Sequence, residues 1–112
     1  MKITFKRSGK VVELVDEYGP EQAIRSAELA DIPAEPSYAE TLLLNISSVM
    51  VAVKTVDGKT IEEISGNAVK ARDMLVAFRR SFTEGEWRSL VKTINETFDL
   101  DPNPEEVEIA TS

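Results

Sequence analysis

Leu42-Leu43-Leu44-Asn45-Ile46-Ser47-Ser48-Val49-Met50-Val51-Ala52-Val53, running on into Lys54-Thr55-Val56-Asp57-Gly58-Lys59, is the stretch on which the fold turns. No other segment is as apolar, so it belongs at the centre of the core. Leu42, Ile46, Val49 and Val53 recur at helical spacing, and Leu43 and Met50 widen that stripe. The β-branched residues between Val49 and Val56 equally suit a strand. The spacing predicts a helix from Tyr38 to about Val51, with an extended tail into Asp57-Gly58. The rival is a shorter helix followed by a strand that pairs through the Asp-Gly turn. A membrane-spanning helix needs about 20 apolar residues. This run is shorter and reads as buried core.

Upstream, Ser37 is placed to cap the central helix, with Glu40 three residues on completing a capping box. Pro33-Ala34-Glu35-Pro36 is a stiff connector, and Pro33 ends an earlier helix by excluding Ile32 from helical geometry. That earlier helix opens at Gly19-Pro20, where proline suits the first helical position. Ala23, Ile24, Ala27 and Ala30 give it a narrow apolar stripe. Lys2-Ile3-Thr4-Phe5-Lys6 alternates polar and apolar, Arg7-Ser8-Gly9-Lys10 forms a turn, and Val11 to Val15 supplies a second strand. The three together predict a β-hairpin, which needs further structure to lie on.

Downstream, Thr60 to Ser65 reads as a short extended or turn segment. Asn67 is placed to cap a helix running to about Phe82, with Ala68, Ala71, Leu75, Phe78 and Phe82 on one face. Thr83-Glu84-Gly85-Glu86 is a second capping box. It opens a helix in which Trp87, Leu90, Val91, Ile94 and Phe98 form an amphipathic stripe. The predicted architecture is a mainly helical α+β domain over residues 1–98, an N-terminal β-hairpin packed on three to four helices. Residues 99–112 follow as an acidic C-terminal tail, with five acids, two prolines and no base. That composition suits a solubilising or partner-mimicking arm.

Composition narrows the function. The chain has no Cys and no His, which removes disulfides, ordinary zinc sites, thiol nucleophiles and the usual neutral-pH general base. No apolar leader follows the basic residues at the N-terminus, so a cytoplasmic location is expected. The net charge of -7 is unfavourable for tracking phosphates, so no nucleic-acid partner is expected. Asp99-x-Asp101-x-Asn103 begins like a calcium loop, but Pro104 stands where the sharp turn requires Gly and Ala110 where the loop requires Glu. Glu62-Glu63 and the Glu84/Glu86 pair read as solvated helix ends. No phosphate-cradling glycine motif is present. No catalytic residue, cofactor or metal is expected.

One surface remains. Phe78, Phe82 and Trp87 lie on two successive helices beside Arg79, Arg80, Arg88 and Lys92. Incomplete burial of these aromatics would leave an apolar groove rimmed by bases, suited to an acidic amphipathic helix or to self-association. Burial of the same stripe against the Leu42–Val53 segment is the equal alternative.

The segment from Tyr38 to Phe98 resembles small phage tail assembly chaperones. The likeness lies in Val49-Met50-Val51-Ala52-Val53-Lys54-Thr55-Val56-Asp57-Gly58-Lys59, an apolar stretch ending in a Val-Asp-Gly turn. It also lies in Phe82-Thr83-Glu84-Gly85-Glu86-Trp87-Arg88-Ser89-Leu90, which looks like their closing helix. Baseplate assembly chaperones are similar at this level. The resemblance implies a non-enzymatic protein that binds a tail component, such as a tape-measure or hub protein, and keeps it soluble until assembly. A structural component of the tail or baseplate and a small regulatory adaptor are the alternatives.

Overall fold

The computed structural model describes residues 1–31, 33, 35–66, 68 and 70–100. Within them the chain folds as an α+β domain. Strands β1 (Lys2–Thr4) and β2 (Val11–Leu14) form the expected hairpin. Helices α1 (Pro20–Ala30) and α2 (Tyr38–Met50) follow, then β3 (Val53–Val56) and β4 (Lys59–Thr60). A single turn of helix, α3 (Ile61–Ile64), leads to α4 (Ala71–Arg80) and α5 (Glu84–Phe98). The hairpin is part of a larger antiparallel sheet of order β1-β2-β3-β4.

The central apolar run divides as its composition demands. Its first part is helix because Ser37 accepts from Glu40 N–H and Glu40 accepts from Ser37 N–H. Its last part pairs with β2 and then reverses through Asp57-Gly58 into β4. Both turn residues have positive φ, 51° and 79°, the backbone that a two-residue hairpin loop requires. Asp57 also accepts from Val11 N–H at 2.9 Å through its carboxylate, while its own N–H donates to Val11 O at 2.7 Å. The turn is thereby fastened to the neighbouring strand. The strand pairing of the rival reading is the one that forms, following a helix nearly as long as the one first expected.

A bulge reconciles this strand with the core. Glu13 faces Thr55, but Leu14 faces Val53, leaving Lys54 as an extra residue on β3. A regular strand would send Val53 and Val56 to opposite faces. The bulge turns both inward, where they are buried, and leaves Lys54 outside, 3.8 Å from Asp16.

The core gathers Val12, Leu14, Val49, Met50, Val53, Val56, Ile61, Leu75, Phe78, Phe82, Leu90 and Ile94. Leu42 is a correction: it is 43% exposed. The buried positions of α2 are Ser47, Val49 and Met50, with Leu43 and Ile46 half-buried. The stripe of α1 is also corrected. Ile24 is 60% exposed, Ala23 and Ala27 face outward, and the inward residues are Ser26 and Ala30. The reason is the seam with α2, which is polar and narrow. Ser47 Oγ lies 2.8 Å from Ser26 Oγ and within hydrogen-bond distance of Ser26 O and Leu44 O. Ser48 Oγ donates to Leu44 O. Small hydroxyls let the helices approach closely and satisfy each other in the interior.

Two further boundaries differ from expectation. Ile61–Ile64 is helical, capped by the Thr60 side chain, which accepts from Glu63 N–H. With α3 present the chain must turn again before α4, and Gly66, at φ 63°, begins that turn. The next helix therefore begins at Ala71, later than Asn67 implied. Asn67 itself lies outside the described residues. So do residues 101–112, which hold nearly all of the acidic tail and of the failed calcium-loop pattern.

Candidate functional site

The start of α5 is built by its capping box. Thr83 Oγ1 accepts from Glu86 N–H, and Glu86 accepts from Thr83 N–H at 2.8 Å. Glu86 also receives Ser8 Oγ at 2.7 Å and Lys10 Nζ at 3.3 Å, so the cap is tied to the N-terminal hairpin. The Thr83 N–H first, then the Ser8 hydroxyl and Lys10, hold the Glu86 carboxyl down at about 2, against burial, which acts the other way. Lys10 additionally donates to Ser81 O and sits 4.8 Å over the Phe82 ring. This corner contains a charge-assisted clasp whose ordinary role is structural.

Beneath the corner lies an aromatic cluster. Phe78 and Phe82 meet edge to face at 5.2 Å, Phe5 reaches Phe82 at 6.3 Å, and Trp87 lies 6.0 Å from both Phe78 and Phe82. Phe78 is 0% exposed and Phe82 is 5% exposed. These two expected groove residues are core residues and form the floor on which Trp87 rests. Phe5 of the hairpin covers Phe82, and Phe78 and Phe82 are both buried in the core that also holds Val49, Met50 and Val53 of the central apolar run.

Trp87 is half-buried. The Arg79 guanidinium lies 4.7 Å over its ring. Arg79 also donates to Phe82 O at 3.3 Å and pairs with Glu84, so its charge is already engaged. Arg80 is exposed on α4. The structure does bring Trp87, Arg88 and Lys92 together: with Val91, Asn95 and Glu96 they form one shallow, open face of α5. Among the described residues Arg88 and Lys92 make no ion pair. Val91, Asn95 and Glu96 were absent from the expected site, although Val91 follows Trp87 and Glu96 follows Lys92 at i+4 and Asn95 follows Lys92 at i+3, the spacings that define one helix face.

A groove, unforeseen from sequence, runs between β1 and α5. Its volume is about 750 Å³, and its walls include Ile3, Phe5, Lys6, Gly85, Ser89 and Thr93. At the end of α5, Tyr18 packs against Phe98 at 5.9 Å and donates its hydroxyl to Ser48 O. Burial pushes that phenol above its usual range, with the Ser48 bond acting the other way.

Among the described residues no group of three or more acidic, His or Cys side chains is arranged to hold a metal ion. No described helix is long and apolar enough to cross a membrane. Comparison with family models, curated proteins and solved structures finds no match to this chain.

Proposed function

We propose that this chain is a non-enzymatic protein-binding assembly factor of the phage tail or baseplate chaperone kind. It holds an acidic amphipathic helix of a tail component against the outer face of α5. The carrying observation is the open face of that helix. Trp87 and Val91 supply a half-buried apolar strip, and Arg88 and Lys92 flank it without ion partners among the described residues. Apolar anchors fit the client helix at i and i+4 spacing, and the bases select its charge. The assignment to tail assembly rests on the resemblance of the Tyr38–Phe98 segment.

The test is affinity capture from a phage-infected cell, with bound proteins identified by mass spectrometry. Wild type is expected to retain a long helical tail component. Arg88→Glu with Lys92→Glu should retain about a tenth as much at low salt, since rim charges govern association and its salt dependence. Arg80→Glu, outside this face, should retain as much as wild type. Equal capture by the double variant rules out this face. Finding the protein itself in purified particles would instead make it a structural component of the virion.

A further inference from the structure

β1 is the outermost strand of the sheet, with β2 on one flank only. Phe5 N–H donates to Lys10 O, and Leu14 N–H donates to Met1 O. The odd-numbered residues of β1 therefore bond to β2, and the backbone groups of Lys2 and Thr4 point to the outer edge. The side chains split in the same way. Ile3 and Phe5 are half-buried, whereas Lys2, Thr4 and Lys6 are exposed. Lys2, Lys6 and Arg7 make no ion pair among the described residues, and residues 1–12 contain no acid. In a chain of net charge -7 this edge is a local basic stripe. Beside it runs the groove to α5, whose far wall presents Gly85, Ser89 and Thr93 together with the Glu86 carboxylate. That carboxylate is already engaged, since Thr83 N–H, Ser8 Oγ and Lys10 Nζ all donate to it.

We infer that the edge of β1 receives an extended segment of a partner protein as an added strand, one in which acidic residues alternate with small apolar ones. This site is separate from the outer face of α5 and does not depend on the client proposed there. Lys2 and Thr4 each offer one backbone donor and one acceptor to an incoming strand. In this mode of recognition the main-chain bonds give affinity and the alternate side chains give selectivity. Every second residue of the added strand shares the face of Ile3 and Phe5. Those side chains turn toward the groove, where the small groups of Gly85, Ser89 and Thr93 leave room for a valine or threonine. The intervening residues share the outer face with Lys2 and Lys6. Charge decides the occupant. The β1 strand of a second copy would set lysine against lysine, which is unfavourable on neighbouring strands, and edge lysines deter such pairing. Acids at the outer positions turn the same lysines into attractive partners and are steered toward them. Glu86 fixes the phase of the alternation. An acid at an inner position would approach a carboxylate whose donors are already taken, so acids fit the outer positions alone. The edge therefore selects a pattern as well as a charge.

Titration of the full chain with the peptide acetyl-Thr-Glu-Val-Glu-Val-Glu-Thr-amide, followed by NMR amide exchange, tests the inference. At saturation the Thr4 amide should exchange at least about tenfold more slowly than in the free protein. Lys2→Glu with Lys6→Glu should weaken binding about tenfold or more at low salt. The lysine counterpart, acetyl-Thr-Lys-Val-Lys-Val-Lys-Thr-amide, should bind that variant and not wild type. A peptide of the same composition in blocks, acetyl-Glu-Glu-Glu-Thr-Thr-Val-Val-amide, should bind wild type at least about tenfold more weakly than the alternating one. Arg88→Glu with Lys92→Glu should leave peptide binding unchanged, which separates this edge from the α5 face. The Val15 amide, bonded to Ala52 O within the fold, should stay protected throughout and reports that the variants fold. A Thr4 amide left unprotected at about 2 mM alternating peptide overturns the inference. So does binding that survives Lys2→Glu with Lys6→Glu, or that is lost with Arg88→Glu and Lys92→Glu. A Thr4 amide already protected in the free protein also overturns it, because the edge then has an occupant of its own, a second copy if that protection fades on dilution.

Discussion

Lys10 Nζ stands 3.3 Å from Glu86 Oε1, with both side chains largely covered, and joins the N-terminal hairpin to the first turn of the last helix. The same carboxylate closes the α5 cap and accepts from Ser8. It is thus shared between local helix initiation and a contact 78 residues away in sequence.

Acid should loosen this junction. Glu86 titrates at about 2 in the fold against an ordinary 4.5. A depressed carboxylate stabilises the fold fully above its unfolded value, and that contribution is lost as pH falls from about 4.5 to about 2. Glu86→Gln keeps a capping oxygen but removes the charge that Thr83 N–H, Ser8 and Lys10 share, and should cost about 1–3 kcal/mol at neutral pH, the range for hydrogen bonds to a charged group. It should also flatten the decline in melting temperature over the acid window. Parallel declines in wild type and variant would remove Glu86 as the source.

The apolar run should respond unevenly to truncation. Met50 is 2% exposed in the core, so Met50→Ala should cost about 2–5 kcal/mol from lost transfer energy and a residual cavity. Leu42→Ala should stay within about 1 kcal/mol, because its side chain already meets solvent. Ile46→Ala should fall between them. Chemical denaturation of the three variants gives the order directly, and an equal loss at Leu42 and Met50 would contradict the helix orientation.

The serine seam should be sensitive to size more than to polarity. Ser47→Ala removes bonds to Ser26 and Leu44 but leaves Ser26 Oγ with Ser48 Oγ at 3.2 Å, so the expected cost is about 1–2 kcal/mol. Ser47→Leu forces the helices apart and should cost at least as much again through overpacking, about 1–3 kcal/mol. Urea midpoints test the order. A leucine variant as stable as wild type would mean that the seam is not closely packed.

What could be read from sequence was what is decided locally. Ser37/Glu40 and Thr83/Glu86 announce their helices because both partners of each capping box lie within four residues. The hairpin was legible for the same reason, through alternation on either side of Arg7–Lys10. The exposed side of α1 was not. Alanines and Ile24 suggest an apolar stripe, yet the helix turns Ser26 inward because Ser47 on another helix supplies its hydrogen bond. The extra residue at Lys54 was equally hidden, since a bulge is defined only against the partner strand. At the candidate site, Trp87, Arg88 and Lys92 share a face by helical spacing alone. Phe82 is covered in part by Phe5 from the distant hairpin, which periodicity does not report.

The union of Ser8 with Glu86 spans 78 residues, and this sets an order of events during synthesis. At about 5–20 residues per second, a ribosome needs on the order of 4–16 s to add the helix that anchors the hairpin. A hairpin forms in about 1–10 μs, so β1 and β2 open and close many times before Glu86 and Phe82 emerge. Throughout that interval Phe5 has no aromatic partner, and the basic side chains of the nascent segment repel those of neighbouring copies. Lys2, Lys6 and Arg7 therefore protect the chain first during its own birth, seconds before the finished sheet has an edge to guard.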